Sequence, residues 1–343
     1  MSEFILEVEN LKKWFPIKRS LGELLRGQRR WVRAVDGISF KIKQGEAFGL
    51  IGESGCGKTT TGKLIMKLLE PTDGQIVFKE KDVTCLNSEE LQEYRRGVQM
   101  IFQDPYASMN PRFRIREVLS EPLYIHKIGT TEKEKMKLAA KALQEVKLTP
   151  PEEFMDRYPH MLSGGQRQRV ATARTLILSP SFVVADEPVS MVDLSTRAEL
   201  LQMMKEVQHV LGLTYLYITH DLSTARYFTD RIAVMYLGKI IEMGSADEVI
   251  DHALHPYTKA LIAAVPEPVS GKVGIIKEVP IKGEIPSAAE IPQGCRFHPR
   301  CLYAKPECWD QEEPELFEAE PGHFVACRRY KEIKKDSINE KVG

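Results

Sequence analysis

The sequence predicts an α/β protein built on a largely parallel sheet. Short apolar runs of the buried-strand type alternate with helix-like segments along residues 1–265, and this alternation is typical of parallel sheets covered by helices. The hydrophobic fraction of 43% is sufficient for a core. Prolines become frequent beyond residue 265, which predicts a linker and a small, irregular module at 266–343.

The strands are predicted from two kinds of apolar pattern. Alternating apolar and polar residues predict half-buried strands at 4–9 and 38–42. Continuous apolar runs predict buried strands at 47–52, 98–102, 181–187, 214–220 and 230–238.

The helices are predicted from apolar residues at helical spacing. One helix begins near Lys58, and another covers 195–212 with Ser195 as its N-cap. Residues at about 104–181 are mostly helix-like, so we expect an inserted helical subdomain there. The basic segment at 18–33 predicts a loop, which is either a solvated insertion or a contact with lipid headgroups.

Composition excludes several classes of protein. The chain has 48 acidic and 48 basic residues, and this balance argues against a nucleic-acid partner. Its apolar runs are too short to span a bilayer, and its N-terminus lacks the basic start of a secretory signal. We therefore expect a soluble, cytoplasmic chain whose link to a membrane comes through a partner.

A glycine-rich loop lies between the strand at 47–52 and the helix that follows. The pattern G-x-x-x-x-G-K-[ST] is matched by Gly52, Glu53, Ser54, Gly55, Cys56, Gly57, Lys58 and Thr59. Glycines let backbone N–H groups turn towards phosphate oxygens, and a helix N-terminus favours an anion. We expect this loop and Thr60 to bind ATP, with Lys58 on the β- and γ-phosphates and Thr59 on Mg²⁺.

Two acidic residues follow the apolar run at 182–185. An acid at the end of a buried strand beside a phosphate loop is suited to hold Mg²⁺, and the next acid to polarise the attacking water. Asp186 is therefore the predicted metal residue and Glu187 the predicted general base. His220 ends the neighbouring predicted strand, which favours contact with the γ-phosphate over a purely structural role.

The segment Leu162–Arg167, LSGGQR, resembles the signature of ABC transporter ATPases. The resemblance implies an ABC cassette of the P-loop NTPase class, with a RecA-like core, an antiparallel β-subdomain and an inserted helical subdomain. It also implies that Ser163, Gly164, Gly165 and Gln166 close over ATP bound by a partner subunit. A helix N-terminus opened by glycines is chemically suited to that role.

The resemblance extends to further residues of the nucleotide site. Gln103 matches the Q-loop glutamine that contacts Mg²⁺ and faces the membrane subunits, and His220 matches the switch histidine. Asp193 matches the D-loop aspartate at the partner's ATP, although residues 190–193 are SMVD where the family usually has SALD. Arg157 is expected either to reach the partner's nucleotide or to lie on the surface.

An aromatic residue from the N-terminal strand region usually stacks on adenine in this family. Phe15 aligns best with that position. Trp14 and Trp31 are the alternatives, because the basic insertion blurs the alignment.

Three features resemble the oligopeptide and dipeptide importer ATPases in particular. They are HPYTKAL at 255–261, YASMNPR at 106–112, and a C-terminal module with GCRFHPRC at 294–301 and PGHFVAC at 321–327. The resemblance implies import of oligopeptides or dipeptides. Related systems carry oligosaccharides or nickel, and these cargoes are the alternatives.

Four cysteines lie in that module: Cys295, Cys301, Cys308 and Cys327. Their spacing lacks the C-x₂₋₄-C pairs typical of zinc sites, and thiolates on loops equally suit an iron–sulfur cluster. The resemblance implies a structural [4Fe–4S] cluster, with Zn²⁺ or free thiols as the alternatives.

The resemblance also implies an assembly at the cytoplasmic face of the cell membrane. Its members are a second, homologous ATPase subunit, two transmembrane permease subunits and, through the permease, an extracytoplasmic substrate-binding protein. Self-pairing and pairing with a related chain both remain open. ABC ATPases that act in translation usually carry two cassettes in one chain, and those that act in DNA repair contain a long coiled coil. Exporters commonly have membrane helices fused to the cassette. A single compact cassette without such features favours the importer.

Overall fold

The structure is a computed structural model that describes residues 3–17, 30–106, 108–265 and 281–334. Residues 18–29 of the basic segment expected to form a loop lie outside the described residues, as does the expected linker at 266–280. Residues 31–33 of the same segment are in a strand that continues to Lys43, so this end of the loop prediction was wrong. Among the described residues, every helix is too short or too polar to cross a bilayer.

An eight-stranded sheet forms the centre of the protein. Its strands are β3 (Ala47–Ile51), β6 (Val98–Ile101), β7 (Phe182–Asp186), β8 (Thr214–Thr219), β9 (Arg231–Tyr236), β10 (Lys239–Ser245), β11 (Phe317–Glu320) and β12 (His323–Val325). The order across the sheet is β11-β12-β10-β9-β3-β8-β7-β6. The five strands from β9 to β6 are parallel. All residues of β3, β7 and β8 are buried, which explains their continuous apolar sequences.

A second, four-stranded antiparallel sheet packs beside it. Its strands are β1 (Phe4–Pro16), β2 (Trp31–Lys43), β4 (Asp73–Phe78) and β5 (Lys81–Asp82), in the order β2-β1-β4-β5. β1 and β2 have 13 residues each and are much longer than the predicted strands at 4–9 and 38–42. Register shifts near Val8, Leu11 and Lys13 interrupt the alternation of apolar and polar residues, so the pattern marked only part of each strand.

Within the described ranges, six helices connect the strands of the two sheets. They are α1 (Lys58–Ile65), α2 (Ser88–Gly97), α7 (Leu194–Leu211), α8 (Leu222–Phe228), α9 (Ala246–Asp251) and α10 (Pro256–Ala263). Asp193, not Ser195, is the N-cap of α7, and its carboxylate accepts the Thr196 N–H at 2.9 Å. A short acidic side chain can cap a helix as well as serine does, so the expected N-cap was wrong by two residues.

The expected helical subdomain contains four helices between β6 and β7. They are α3 (Ile115–Ile125), α4 (Glu132–Glu145), α5 (Glu152–Met155) and α6 (Gly164–Leu176). Leu119, Leu143 and Val170 are fully buried between them. Their cluster is continuous with apolar residues of the main sheet, so packed side chains join the subdomain to the sheet.

The C-terminal segment, residues 281–334, is not wholly irregular as the sequence had suggested. β12 pairs with β10, and β11 pairs with β12, so the segment extends the main sheet. The buried His323 ring contacts Glu242 of β10 at 2.8 Å. Strands of four and three residues separated by a glycine turn are too short for a periodic pattern, and their pairing partner is distant in sequence.

Candidate functional site

The glycine-rich loop, residues 52–59, joins β3 to α1 and fits closely between two strands. Gly52 has φ +154° and Gly57 has φ +114°, values that side-chain-bearing residues rarely adopt. A Cβ atom at Gly52 would lie 2.2 Å from the Met235 carbonyl oxygen, and one at Gly57 would lie 2.1 Å from the Ala34 carbonyl oxygen. This phosphate loop therefore needs glycine for both conformation and space.

The Lys58 ammonium lies inside the phosphate loop. It donates to the carbonyl oxygens of Gly52 at 2.6 Å and Glu53 at 2.9 Å, and it is 5% exposed. Cys56 is also buried in the loop, and burial raises the pKa of its thiol. A protonated, buried thiol is unreactive, so Cys56 acts as a small structural residue of the loop.

Thr59 and Asp186 meet where α1 begins and β7 ends. The Thr59 hydroxyl donates to Asp186 Oδ1 at 3.1 Å. Burial and the neighbouring Glu187 raise the pKa of the Asp186 carboxyl. A buried carboxylate and a hydroxyl oxygen at this separation are hard ligands that suit Mg²⁺.

The predicted base and its two predicted neighbours converge at the adjacent residue. Glu187 accepts from Gln103 Nε2 at 3.0 Å and contacts His220 Nδ1 at 2.9 Å, one carboxylate oxygen to each. Its N–H donates to the Ile218 carbonyl oxygen at 2.8 Å, and its φ is +47°. A non-glycine residue in this backbone region is strained, and such strain is often found at functional sites.

The signature segment opens α6 with a reciprocal cap. The Ser163 hydroxyl accepts the Gln166 N–H at 3.2 Å, and Gln166 Oε1 accepts the Ser163 N–H at 3.1 Å. Gly164 is exposed, and a Cβ atom there would meet only Val192 at 4.0 Å. At Gly165 a Cβ atom would lie 2.3 Å from Thr196 Cγ2. The two glycines thus have different tasks, because the first leaves the surface open and the second permits packing against α7.

Arg167 supports the signature segment, and this role was not predicted from the sequence. Its buried guanidinium donates to the carbonyl oxygens of Pro159 at 2.9 Å and Leu162 at 2.8 Å. It also lies 3.5 Å from the centre of the exposed Tyr106 ring. The sequence signal for this role was the arginine at the end of LSGGQR. Buried arginines are rare without carbonyl or acidic partners.

Two residues expected at the partner's nucleotide have local contacts. Both carboxylate oxygens of Asp193 accept hydrogen bonds from Ser195 and Thr196, and these bonds lower the pKa of Asp193 to about 2. The Arg157 guanidinium lies 5.2 Å from the centre of the Phe154 ring. Asp193 is therefore held as a fixed anion beside the signature helix.

The three aromatic candidates lie along the β1–β2 hairpin. Phe15 is half-buried opposite Val32, with the Lys13 ammonium 5.3 Å from its ring centre. The indole Nε1–H of Trp14 donates to Asp36 Oδ1 at 2.8 Å, so that ring is held in the packing of the hairpin. Trp31 pairs with Pro16 at the hairpin's described end.

The four C-terminal cysteines line one small cavity of about 20 Å³, together with His255 and His298. Burial raises the pKa of Cys295 to about 11 and of Cys327 to about 12. Within the described chain, no three of these sulfur atoms lie within 4.8 Å of one another. A tetrahedral zinc with bonds of about 2.3 Å needs sulfurs closer than that, so these sulfur positions do not form a zinc site.

Comparison with known families and proteins places these features in context. The sequence profile of the ABC transporter family matches residues 35–190. The sequence profile of the oligopeptide/dipeptide transporter C-terminal region matches residues 241–308, which include three of the four cysteines. The chain is 47% identical to the oligopeptide transport ATP-binding protein AppF of Bacillus subtilis, over 96% of this chain and 98% of that protein. It is 44% identical to a putative peptide import ATP-binding protein of Brucella ovis, over 91% and 96%.

Solved structures agree with the architecture. A dimeric ATP-binding cassette, MJ0796, bound to ADP and Pi superposes with a TM-score of 0.61 at 28% identity, over 70% of this chain and 98% of that one. CbiO1 of Clostridium perfringens, part of the transporter complex cbiONQ, superposes with a TM-score of 0.62 at 27% identity, over 73% and 92%. Both confirm the cassette fold expected from the sequence.

Proposed function

Because the chain belongs to the oligopeptide-importer family of ABC transporter ATP-binding subunits, we propose that it hydrolyses ATP to drive the import of oligopeptides or dipeptides. The observation that carries the proposal is the convergence of Gln103, Glu187 and His220 beside the phosphate loop. These side chains come from three separate segments and meet at one carboxylate.

The geometry supports a role for each polar group in attack on the γ-phosphate. Glu187 accepts a proton from the attacking water, while Gln103 and His220 hold its carboxylate in place. Lys58 leaves the loop carbonyls to contact the phosphates and stabilise developing charge. Thr59 and Asp186 would hold Mg²⁺, which neutralises phosphate charge when bound.

The ATP site is completed by a second subunit in this proposal. Ser163, Gly164, Gly165 and Gln166 present the N-terminus of α6 at the surface, where it suits a phosphate bound by the neighbour. Asp193 and Arg157 would lie at the same boundary. Phe15, at the hairpin whose Ala34 carbonyl touches Gly57, would stack on adenine.

The helical subdomain carries an exposed apolar surface that suits a permease subunit. Phe113, Tyr124 and Ile125 line one groove beside α3, and each is more than a third exposed. Phe102 and Tyr106 are exposed to a similar or greater extent. Exposed apolar groups that line one groove are typical of interaction sites. Gln103 follows Phe102 directly and contacts the Glu187 carboxylate. A permease subunit docked at this surface would therefore be linked to Glu187 through Gln103. Such docking would hold the chain at the cytoplasmic face of the membrane, with a substrate-binding protein on the far side of the permease.

Transport by the assembled complex tests the proposal. With the permease subunits and the binding protein in sealed vesicles, we expect peptides to stimulate ATP hydrolysis and to accumulate only when ATP is supplied. Oligosaccharide or nickel uptake without peptide uptake would identify an alternative cargo. ATP hydrolysis that no permease or cargo alters would instead favour a non-transport ABC ATPase.

The C-terminal cysteines form a second part of the proposal. We assign residues 1–265 to the cassette, with its helical subdomain at about 104–181, and 266–343 to a module that holds a [4Fe–4S] cluster. The cavity lined by Cys295, Cys301, Cys308 and Cys327 supports this assignment, since thiolates are the usual cluster ligands. A bound cluster would add folding energy to a segment with little core of its own.

Anaerobic purification of the full chain tests the cluster. We expect about four iron atoms and acid-labile sulfide per chain, and Cys301→Ser should lower both because one ligand is lost. Cys85→Ser is the matched control, since Cys85 is an exposed cysteine outside the module. Zinc without sulfide in the unaltered protein would contradict the cluster.

A further inference from the structure

The C-terminal segment meets the phosphate loop at Glu53. The Arg300 guanidinium forms a two-point ion pair with the Glu53 carboxylate, with Nη1–Oε2 2.7 Å and Nη2–Oε1 3.1 Å. The Arg300 side chain is 5% exposed and that of Glu53 27%. Arg300 directly precedes Cys301, so this contact joins the cysteine segment to the nucleotide loop.

The backbone of Glu53 is held as well. Its N–H donates to the Tyr257 hydroxyl oxygen at 2.8 Å, and its carbonyl accepts from the Lys58 ammonium at 2.9 Å. Tyr257 is buried, and the rings of Tyr236 and Phe297 pack on it with centroids 4.7 Å and 5.5 Å away. A single residue of the loop is therefore fixed through its side chain, its N–H and its carbonyl.

These contacts matter because the phosphate loop is rich in glycine. Gly52, Gly55 and Gly57 give its backbone more conformational freedom than other residues would. Ordering such a loop around phosphates costs binding free energy, and a loop that is already ordered avoids that cost. A two-point arginine–carboxylate pair defines both distance and orientation, so it is well suited to hold the loop in one conformation.

We propose that Arg300 and Tyr257 are positioning residues for the phosphate loop, and that the C-terminal segment thereby sets the affinity of the site for ATP. The proposal rests on the proposed ATPase function. Neither residue touches the nucleotide; both act through Glu53, which keeps the loop N–H groups and Lys58 ready for the β- and γ-phosphates. ATP affinity then depends on a segment more than 200 residues away in sequence from the phosphate loop.

Two substitutions in the full chain test this role by different means. Arg300→Met removes the ion pair at similar length, and Tyr257→Phe removes one hydroxyl while keeping the packed ring. We expect each to raise the dissociation constant for ATP and the KM for ATP, with Arg300→Met raising both about tenfold, as for loss of a charge-assisted hydrogen bond. The kcat should change less than about twofold, because Glu187, Gln103 and His220 are untouched. Arg300→Lys should restore part of the affinity.

Arg329→Met is the matched control. Arg329 is as buried as Arg300 and lies in the same segment, two residues after Cys327. Its partners, however, are Glu307 and Glu332 within that segment. We expect this variant to lower the Tm as much as Arg300→Met does, while its dissociation constant for ATP stays at the unaltered value.

A double substitution isolates the contact itself. If Arg300 acts through Glu53, then Glu53→Gln combined with Arg300→Met should weaken ATP binding no more than the stronger single change does. Additive losses, or an Arg300→Met variant that binds ATP as tightly as Arg329→Met does, would overturn the proposal. Binding is measured without turnover, so an unaltered chain that binds ATP but never hydrolyses it would contradict the proposed function and leave this test standing.

Discussion

Replacing Glu187 by glutamine is expected to lower ATP turnover by roughly 10²–10⁴-fold, the range for loss of a general base, while ATP still binds. Glutamine keeps one oxygen to accept from Gln103 Nε2, and its amide N–H can donate to His220 Nδ1 in the tautomer in which that nitrogen is an acceptor, so the site should keep its shape. It cannot accept a proton from water, so only the chemical step is affected. Single-turnover hydrolysis and ATP dissociation constants, measured side by side, separate the two effects.

The control for this substitution is Glu93→Gln on the exposed side of α2. It makes the same chemical change far from the phosphate loop and should leave turnover unchanged. Hydrolysis by Glu187→Gln at the unaltered rate would reject Glu187 as the base and direct attention to Asp186.

The second large effect is expected at Gly164, where an aspartate should reduce turnover by about 10²–10³-fold, comparable to losing an electrostatic contact in a transition state. In the single chain there is room for the side chain, because a Cβ atom at Gly164 would meet only Val192 at 4.0 Å. An acidic residue in the first turn of a helix is also favourable. Folding and ATP binding to the isolated chain should therefore persist, whereas a carboxylate facing the partner's γ-phosphate would prevent closure.

The neighbouring glycine provides the contrast. Gly165→Ala places a Cβ atom 2.3 Å from Thr196 Cγ2, so we expect it to destabilise the fold by about 1–3 kcal/mol through overpacking against α7. Thermal unfolding distinguishes the two variants. Gly164→Asp with full turnover would show that the signature does not contact nucleotide in the assembly, and ATP would then be hydrolysed within one chain.

Much of the fold was predictable because its parallel strands are buried on both faces. β3, β7 and β8 appear in the sequence as apolar runs at nearly their observed bounds. β4, β10 and the strands of the C-terminal segment escaped prediction. β10 is also almost wholly buried but includes the polar Glu242, whose side-chain oxygens contact the His323 ring and the backbone N–H groups of 254 and 255. Burial of this polar side chain depends on partners that a local pattern does not reveal.

The site was predictable where a motif ties residue type to geometry. The phosphate loop, Asp186, Glu187 and His220 were predicted from short patterns, and the structure brings Gln103, Glu187 and His220 into contact. Their catalytic roles stay predictions until the variants are measured. The contacts of Glu53 were out of reach, because its side chain, its N–H and its carbonyl are held by residues 300, 257 and 58, and sequence spacing says nothing about such distances.

The pairing of β12 with β10 also affects what happens to the protein after proteolysis. β12 covers a strand that would otherwise be the open margin of the main sheet, with a row of unsatisfied N–H and carbonyl groups. Such margins pair readily with other chains. A proteolytic cut just ahead of residue 317 that released β11 and β12 would therefore expose β10, and we expect such clipped chains to self-associate more readily than whole ones.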